Sequence, residues 1–367
     1  MKTKAAVVLG PQKPFEIVEL DLDGPKAGEV LIRVEAAGLC HSDLHMQTGE
    51  LAPRYPCVGG HEGAGVVEEV GPGVRKLKPG DHVVCSFIPS CGHCRYCATG
   101  RQNLCVLGAS TTGALPDGTF RFHDGGTNFG GMCMLGTFSQ YATVSEHSVV
   151  KVDSGIPLDV AVLVGCGVPT GWGSAVYAGD VRAGDTVVIY GIGGIGINAV
   201  QGSRYAGAKD VVVVDPVAAK RDTALELGAT AAFADADEAR AAIADLTRGQ
   251  MADVAIVTVG ASAVISAAFA AIGRGATMVV IGMGDPSKAT VQLSGTLLTL
   301  QQKTVKGSLF GSVNPSYDIP RMLDLYQAGQ LRLDELVTGR YSLDQINEGY
   351  RDLQDGKNIR GVIVHEH

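Results

Sequence analysis

Residues 185–196 read DTVVIYGIGGIG. Asp185–Tyr190 is a short apolar run, of a length that suits a buried strand. The next six residues, Gly191-Ile192-Gly193-Gly194-Ile195-Gly196, form a GxGxxG, and a helical stretch, Ile195–Tyr205, follows. The first glycine permits a tight turn after the strand. The second lets the backbone approach a pyrophosphate, and the third allows close helix–strand packing. The helix N-terminus attracts the phosphates. Asp215 ends the next expected strand, Asp210–Asp215, about 20 residues on, where a carboxylate would receive a ribose 2′-hydroxyl. That acid would repel a 2′-phosphate, so the pattern favours NAD over NADP. Lys220, early in the following helix, is placed to add a ribose contact, or is simply an exposed helix lysine. The competing reading of the whole stretch is a glycine-rich packing turn beside a solvated aspartate.

Downstream, strands and helices alternate. Helix Ala218–Leu227, strand Ala231–Phe233, helix Glu238–Leu246, strand Asp253–Val259, helix Ser262–Ala271 and strand Ala276–Ile281 are expected in turn. Such alternation predicts a doubly wound parallel sheet. From about residue 310 the pattern loosens into helices over Ile319–Ala328 and Asp344–Gln354 and a last strand at Val362–Val364. Upstream, residues 1–150 are β-rich. Runs at Ala5–Leu9, Val30–Val34, Gly65–Val70 and Asp81–Cys85 are separated by Gly/Pro turns without helices, which predicts a small barrel or open antiparallel sheet. Two long segments read as loops: 86–105, rich in cysteine, and 108–136, rich in glycine.

The chain has 367 residues, a size that suits two domains, and 46% are hydrophobic against 19% charged, enough to build a large core. Its net charge of −8 argues against a nucleic-acid partner, which needs a basic footprint. No apolar run reaches the roughly 18 residues of a membrane span, and the start MKTKAAVVLG lacks a signal-peptide core. A cytoplasmic protein is expected. Nine cysteines, an odd number in a chain this long, then point to metal or chemistry rather than disulfides.

Cys91, Cys94, Cys97 and Cys105 crowd four thiols into fifteen residues of one loop. Short spacings let the backbone curl round one ion, and four thiolates close a tetrahedral zinc shell with no open position. Such a site is structural. An iron–sulfur cluster also takes four cysteines, though in other spacings. Cys40, His61 and Cys166 are dispersed potential ligands. Each alone has a bland reading, a buried thiol or a turn histidine, and spacing does not join them.

Seven stretches together resemble the zinc-dependent alcohol dehydrogenases of the medium-chain dehydrogenase/reductase superfamily. They are Gly38–Asp43, GGHEGAG at 59–65, the four-cysteine loop, GTFSQY at 136–141, GCGVPTG at 165–171, the GxGxxG with Asp215, and GKNIR at 356–360. The resemblance spans essentially the whole chain. It implies an α/β fold: a GroES-like β-rich catalytic domain at 1–167 and 310–367, and a Rossmann NAD domain at 168–309, with the catalytic cleft between them. It implies two zinc ions per chain, with Cys40, His61 and Cys166 holding the catalytic one and leaving a fourth position open. Glu62 would sit behind that metal and Asp43 would orient His61.

The implied reaction is reversible oxidation of a primary or secondary alcohol to an aldehyde or ketone. The zinc stabilises the alkoxide, which gives hydride to NAD. Ser42 would relay the proton and His45 would be the terminal base. Phe87 would line the substrate pocket, Thr170 would pack on the nicotinamide, and Arg360 and His41 would contact the cofactor phosphates. One branch of the family oxidises a thiol adduct of formaldehyde, and its two anchors, an acid and an arginine, are replaced here by Leu51 and Ala109. LPDGTFRFH at 115–123, with Cys133–Tyr141 and Asn314–Ile319, resembles a narrower subgroup described as nitrosodimethylaniline-dependent. In that subgroup the nicotinamide stays bound and is recycled by an external acceptor. A homodimer or homotetramer is implied, pairing near Ala276–Ile281 and Val291–Leu300.

Overall fold

The computed structural model describes residues 1–50, 54–110, 112–284 and 291–367. The chain divides into two units, Met1–Cys166 with Asn314–His367, and Gly167–Val313. The first unit opens with β1 (Lys2–Val8), β2 (Glu16–Leu22) and β3 (Glu29–Gly38), followed by helix α1 (His41–Thr48). Then come β4 (Cys57–Val58), β5 (Gly63–Val70), β6 (His82–Cys85), β7 (Phe122–Asp124), β8 (Thr127–Gly131), β9 (Tyr141–Ser145), β10 (Val149–Lys151) and the short helix α2 (Leu158–Ala161).

Among the described residues, β1, β2, β7, β8 and β4 close into a barrel. The segment 108–136, expected as a loop, therefore supplies two barrel strands. Their signal is weak because each is short and the sequence between Asp124 and Thr127 is only Gly125-Gly126. That pair forms a two-residue hairpin turn, with Asp124 opposite Thr127 and Phe122 opposite Phe129. The two phenylalanines are buried in the barrel core with Leu20, Leu22 and Val58. Arg121 anchors the base of the hairpin. It is 2% exposed, its Nε donates to Glu29 Oε2 at 2.9 Å, and its Nη2 donates to Glu29 Oε1 and, at 2.7 Å, to Asp117 Oδ2.

The second unit carries α3 (Gly167–Gly173), β11 (Thr186–Tyr190), α4 (Gly196–Tyr205), β12 (Asp210–Val214), α5 (Ala218–Glu226), β13 (Ala231–Phe233) and α6 (Ala236–Leu246). It continues with β14 (Ala252–Val257), α7 (Ser262–Ala271), β15 (Ile272–Val280), α8 (Gly295–Leu300) and β16 (Thr304–Gly307). Its sheet is parallel, in the order β13-β12-β11-β14-β15-β16. Chain order reverses between β11 and β14, the switch point where a doubly wound sheet takes its ligand. β11 and β12 are buried along their whole length, as runs of Val and Ile must be when helices cover both faces of a sheet. The expected helix 238–246 starts two residues earlier, because Asp235 caps it by accepting from the amides of Asp237 and Glu238.

The chain then returns to the first unit with α9 (Pro315–Gln327), β17 (Val337–Tyr341), α10 (Ile346–Gln354) and β18 (Arg360–Val364). β18 pairs antiparallel with the end of β3, in a sheet ordered β10-β6-β5-β3-β18-β17 with β9 also on β3. This pairing sets the C-terminal strand against the residues that precede Cys40. No single helix among the described residues is long and apolar enough to cross a membrane.

Candidate functional site

Three connections in the first unit deliver one buried cluster. Cys40 is the residue before α1, in extended conformation just beyond the end of β3. His61 lies in the turn between β4 and β5. Cys166 is the last residue before the second unit begins. One donor atom from each of Cys40, His61, Glu62 and Cys166 falls within 4.8 Å of all the others, and all four residues are buried. The structure thus brings together the three dispersed residues that spacing alone does not join. Glu62, expected only behind the metal, contributes its carboxylate to the same cluster.

The charges within it are held by named partners. His61 Nδ1 lies 2.8 Å from Asp43 Oδ2, while Asp43 Oδ1 accepts from the Gly60 amide at 2.8 Å. His61 Nε2 makes no hydrogen bond among the described residues, and neither does Glu62 Oε1. A hydrogen bond from Cys166 pulls the Cys40 thiol well below the usual range, against its burial and with help from His61. The shared proton and burial push Cys166 well above that range. Burial opposes a charge on His61, but Asp43 and Cys40 outweigh it and raise its pKa. Two thiols, two buried carboxylates, an imidazole and a single guanidinium form a set that a divalent cation would complete. Thiolate and imidazole are zinc donors, so the residues fit that metal.

Arg360, expected at the cofactor phosphates, donates from Nη2 to Glu62 Oε2 at the back of this cluster, and its Nε has no partner among the described residues. Phe87 stands edge-on to His61, 5.7 Å between ring centroids at 86°. Ser42 Oγ is 3.8 Å from Cys40 Sγ. Ser42 and His45 are one turn apart on α1, and His45 Nδ1 meets the carboxylate of Glu50. His41 is exposed at the start of the same helix. Of the adduct anchor positions, Ala109 is exposed, and Leu51 lies outside the described residues.

In the cysteine loop, the sulfurs of Cys91, Cys94, Cys97 and Cys105 also lie within 4.8 Å of one another. The backbone amides of Cys97 and Val106 lower the Cys94 thiol to about 6, while burial pushes Cys97 up to about 12. All nine cysteines are free thiols. The closed four-sulfur set fits a structural metal.

In the second unit, Gly191 follows β11 with φ +87°, and a Cβ there would lie 2.6 Å from Thr258 Oγ1. A Cβ on Gly193 would meet nothing within 4 Å, so this turn is open to a ligand at the head of α4, where Gly194, Ile195 and Gly196 follow. Asp215 is buried, and its carboxylate accepts from the amides of Ile192 at 2.7 Å and Val217 at 2.9 Å. It therefore shapes the glycine turn as well as facing it, with lone pairs left for a hydroxyl donor. The turn fits a dinucleotide. Lys220 is half-buried with no ion pair among the described residues. Its neighbour Arg221 reaches back to the Asp215 carbonyl at 2.7 Å. Thr170 is buried within α3.

Sequence reasoning gave Thr137 and Cys133 no part in the histidine cluster and did not pair Glu50 with His45. Cys133 carries no assigned role, yet burial lifts its thiol to about 11 and His61, Asp43 and Cys40 all act on it. Thr137 lies inside the GTFSQY stretch, but nothing local ties it to the histidine turn.

The geometry agrees with comparisons to known proteins. Residues 26–154 match the alcohol dehydrogenase GroES-like domain, and residues 194–328 match the zinc-binding dehydrogenase family. The chain is similar to the NDMA-dependent alcohol dehydrogenase of Amycolatopsis methanolica, at 68% identity over 100% of this chain and 99% of that protein. Among solved structures it resembles an alcohol dehydrogenase zinc-binding domain protein from Burkholderia ambifaria, at TM-score 0.94 and 34% identity, with both chains fully covered. It also resembles the benzyl alcohol dehydrogenase of Acinetobacter calcoaceticus, at TM-score 0.93 and 30% identity, again over both whole chains.

Proposed function

The chain belongs to the zinc-dependent alcohol dehydrogenases of the medium-chain dehydrogenase/reductase superfamily, and from that membership we propose that it oxidises a small alcohol with NAD as hydride acceptor. The observation that carries this reading is the convergence of Cys40, His61 and Cys166 on one buried point. When bound, zinc supplies a Lewis acid that acidifies an alcohol hydroxyl, and NAD supplies the hydride acceptor. Cys40, His61 and Cys166 would hold the metal, with Arg360 restraining the Glu62 carboxylate beside it. Ser42 Oγ would accept the substrate proton while releasing its own hydroxyl proton toward His45, which is partly exposed and would pass a proton on to solvent. Glu50 fixes the His45 ring for that task. Phe87 covers the imidazole edge and excludes water. Gly191–Gly196 would hold the pyrophosphate and Asp215 the ribose. Cys91, Cys94, Cys97 and Cys105 would hold a second, structural zinc.

A second reading of the cofactor is favoured by the likeness to a protein named NDMA-dependent. In it NAD(H) stays bound and an external acceptor reoxidises it in place. Homo-oligomerisation is also supported. Among the described residues β16 is the edge strand of its sheet, and Leu297, Leu300 and Val305 are exposed on α8 and β16. Free thiols throughout suit a reducing compartment such as the cytoplasm.

Turnover of simple primary alcohols, benzyl alcohol and a thiol–formaldehyde adduct tests the function, with added NAD and then with nitrosodimethylaniline alone. Alcohol oxidation with added NAD is expected. Turnover with nitrosodimethylaniline alone, in protein that carries nicotinamide absorbance, assigns the bound-cofactor reading. Turnover of the adduct alone would overturn the substrate class.

A further inference from the structure

We propose that Thr137 is a positioning residue that holds His61 in place for the metal. This rests on the reading that Cys40, His61 and Cys166 bind zinc. Thr137 is fully buried and touches the residues on both sides of His61. Its backbone amide donates to the Gly60 carbonyl at 3.0 Å. Its hydroxyl donates to the Glu62 carbonyl at 2.7 Å. The carbonyls of the two residues that flank His61 are thus bonded to a single residue. Gly60 makes the approach possible. Its φ is +89°, and a Cβ there would lie 2.6 Å from Thr137 Oγ1.

Asp43 restrains the same turn by other bonds, taking the Gly60 amide with one oxygen and facing His61 Nδ1 with the other. An imidazole that faces Asp43, between two residues whose carbonyls are both tied to Thr137, has little freedom left to swing away from the two sulfurs. Thr137 is itself anchored. Its carbonyl accepts from His365 Nε2 at 3.2 Å, and the His365 amide donates to Glu35 at 2.9 Å. The clamp therefore runs from the end of β18 to the histidine turn. Without the hydroxyl, the Glu62 carbonyl keeps, among the described residues, only the Gly38 amide, at 3.3 Å. A buried carbonyl so weakly satisfied favours rearrangement of the turn.

Zinc-loaded wild type, Thr137→Val, Thr137→Ser and His61→Ala test this by the rate of zinc release to a chromophoric chelator, and by the absorption spectrum of the cobalt-substituted protein. Wild type should release two zinc ions in separate phases, and His61→Ala should lack one of them. In Thr137→Val that same phase should quicken about 10- to 100-fold, the range seen when an outer-shell partner is lost. The other phase, from the four-cysteine loop, should stay unchanged and so report that the fold is intact. The cobalt bands should shift, and Thr137→Ser should restore the wild-type rate and spectrum. Unchanged release in Thr137→Val would overturn the proposal. So would acceleration of both phases together, or a serine variant as fast as the valine one, since only the methyl packing would then matter. If His61→Ala keeps both phases, the metal reading itself fails, whatever the Thr137 variants do.

Discussion

Asp43 Oδ2 lies 2.8 Å from Nδ1 of His61, and both side chains are fully enclosed. With Asp43 beside Nδ1, a neutral His61 would carry its proton there and offer Nε2 to a metal, the tautomer a metal-binding imidazole needs. Asp43→Asn keeps the oxygen that takes the Gly60 amide and removes the charge. Zinc at this site should bind about 10- to 100-fold more weakly and kcat should fall with it. Zinc titration alongside kcat checks this, and an Asn variant with wild-type affinity would remove Asp43 from the site.

Asp215 holds the glycine turn through the Ile192 amide, and in the proposed function it also receives the cofactor ribose. Asp215→Ala therefore frees the turn as well as removing a ribose acceptor. NAD affinity should drop by at least about tenfold, for one lost charged hydrogen bond. NADP affinity should not rise to replace it. Calorimetric titration with both nucleotides decides the matter, and a clean switch to NADP would show that the carboxylate acts on the ribose alone.

Arg121 ties the β7–β8 hairpin to Glu29 in a buried pair. Arg121→Met strands the Glu29 carboxylate, which sits 4% exposed, and should cost about 3–5 kcal/mol. Denaturant midpoints measure the loss. Arg121→Lys should recover little of it, since an ammonium cannot reproduce the two-pronged contact. A Met variant as stable as wild type would mean that the hairpin is held by Phe122 and Phe129 alone.

Burial holds His365 near pKa 4, below its ordinary value of 6.5. The folded state keeps this ring neutral while the unfolded chain protonates it first. Its contribution is whole above pH 6.5 and is lost as pH falls from there toward 4. By pH 5 the loss should reach about 2 kcal/mol. Thermal melting at pH 7 and pH 5 compares wild type with His365→Gln, which can still donate to Thr137. The variant should lose less between the two pH values, and identical losses would contradict this account of His365.

Legibility in the sequence followed distance along the chain. Gly191–Gly196 and the cysteine loop could be read because each motif folds on itself. Strands β11 and β12 were visible as unbroken apolar runs. The hairpin at 122–131 was not, because two phenylalanines and a glycine pair make too brief a pattern. Cys40, His61 and Cys166 were joined only by family resemblance, since no local rule relates such distant positions. Arg360 on Glu62, Thr137 on Gly60 and Glu62, and the Glu62 carboxylate among the metal donors follow from sheet pairing and the histidine turn. No window of sequence contains them.

The zinc content of the purified protein is the most direct measurement. With one metal held by Cys40, His61 and Cys166 and another by Cys91, Cys94, Cys97 and Cys105, elemental analysis should find close to two zinc ions per chain. One zinc or none, or iron in the four-cysteine loop, would contradict this assignment.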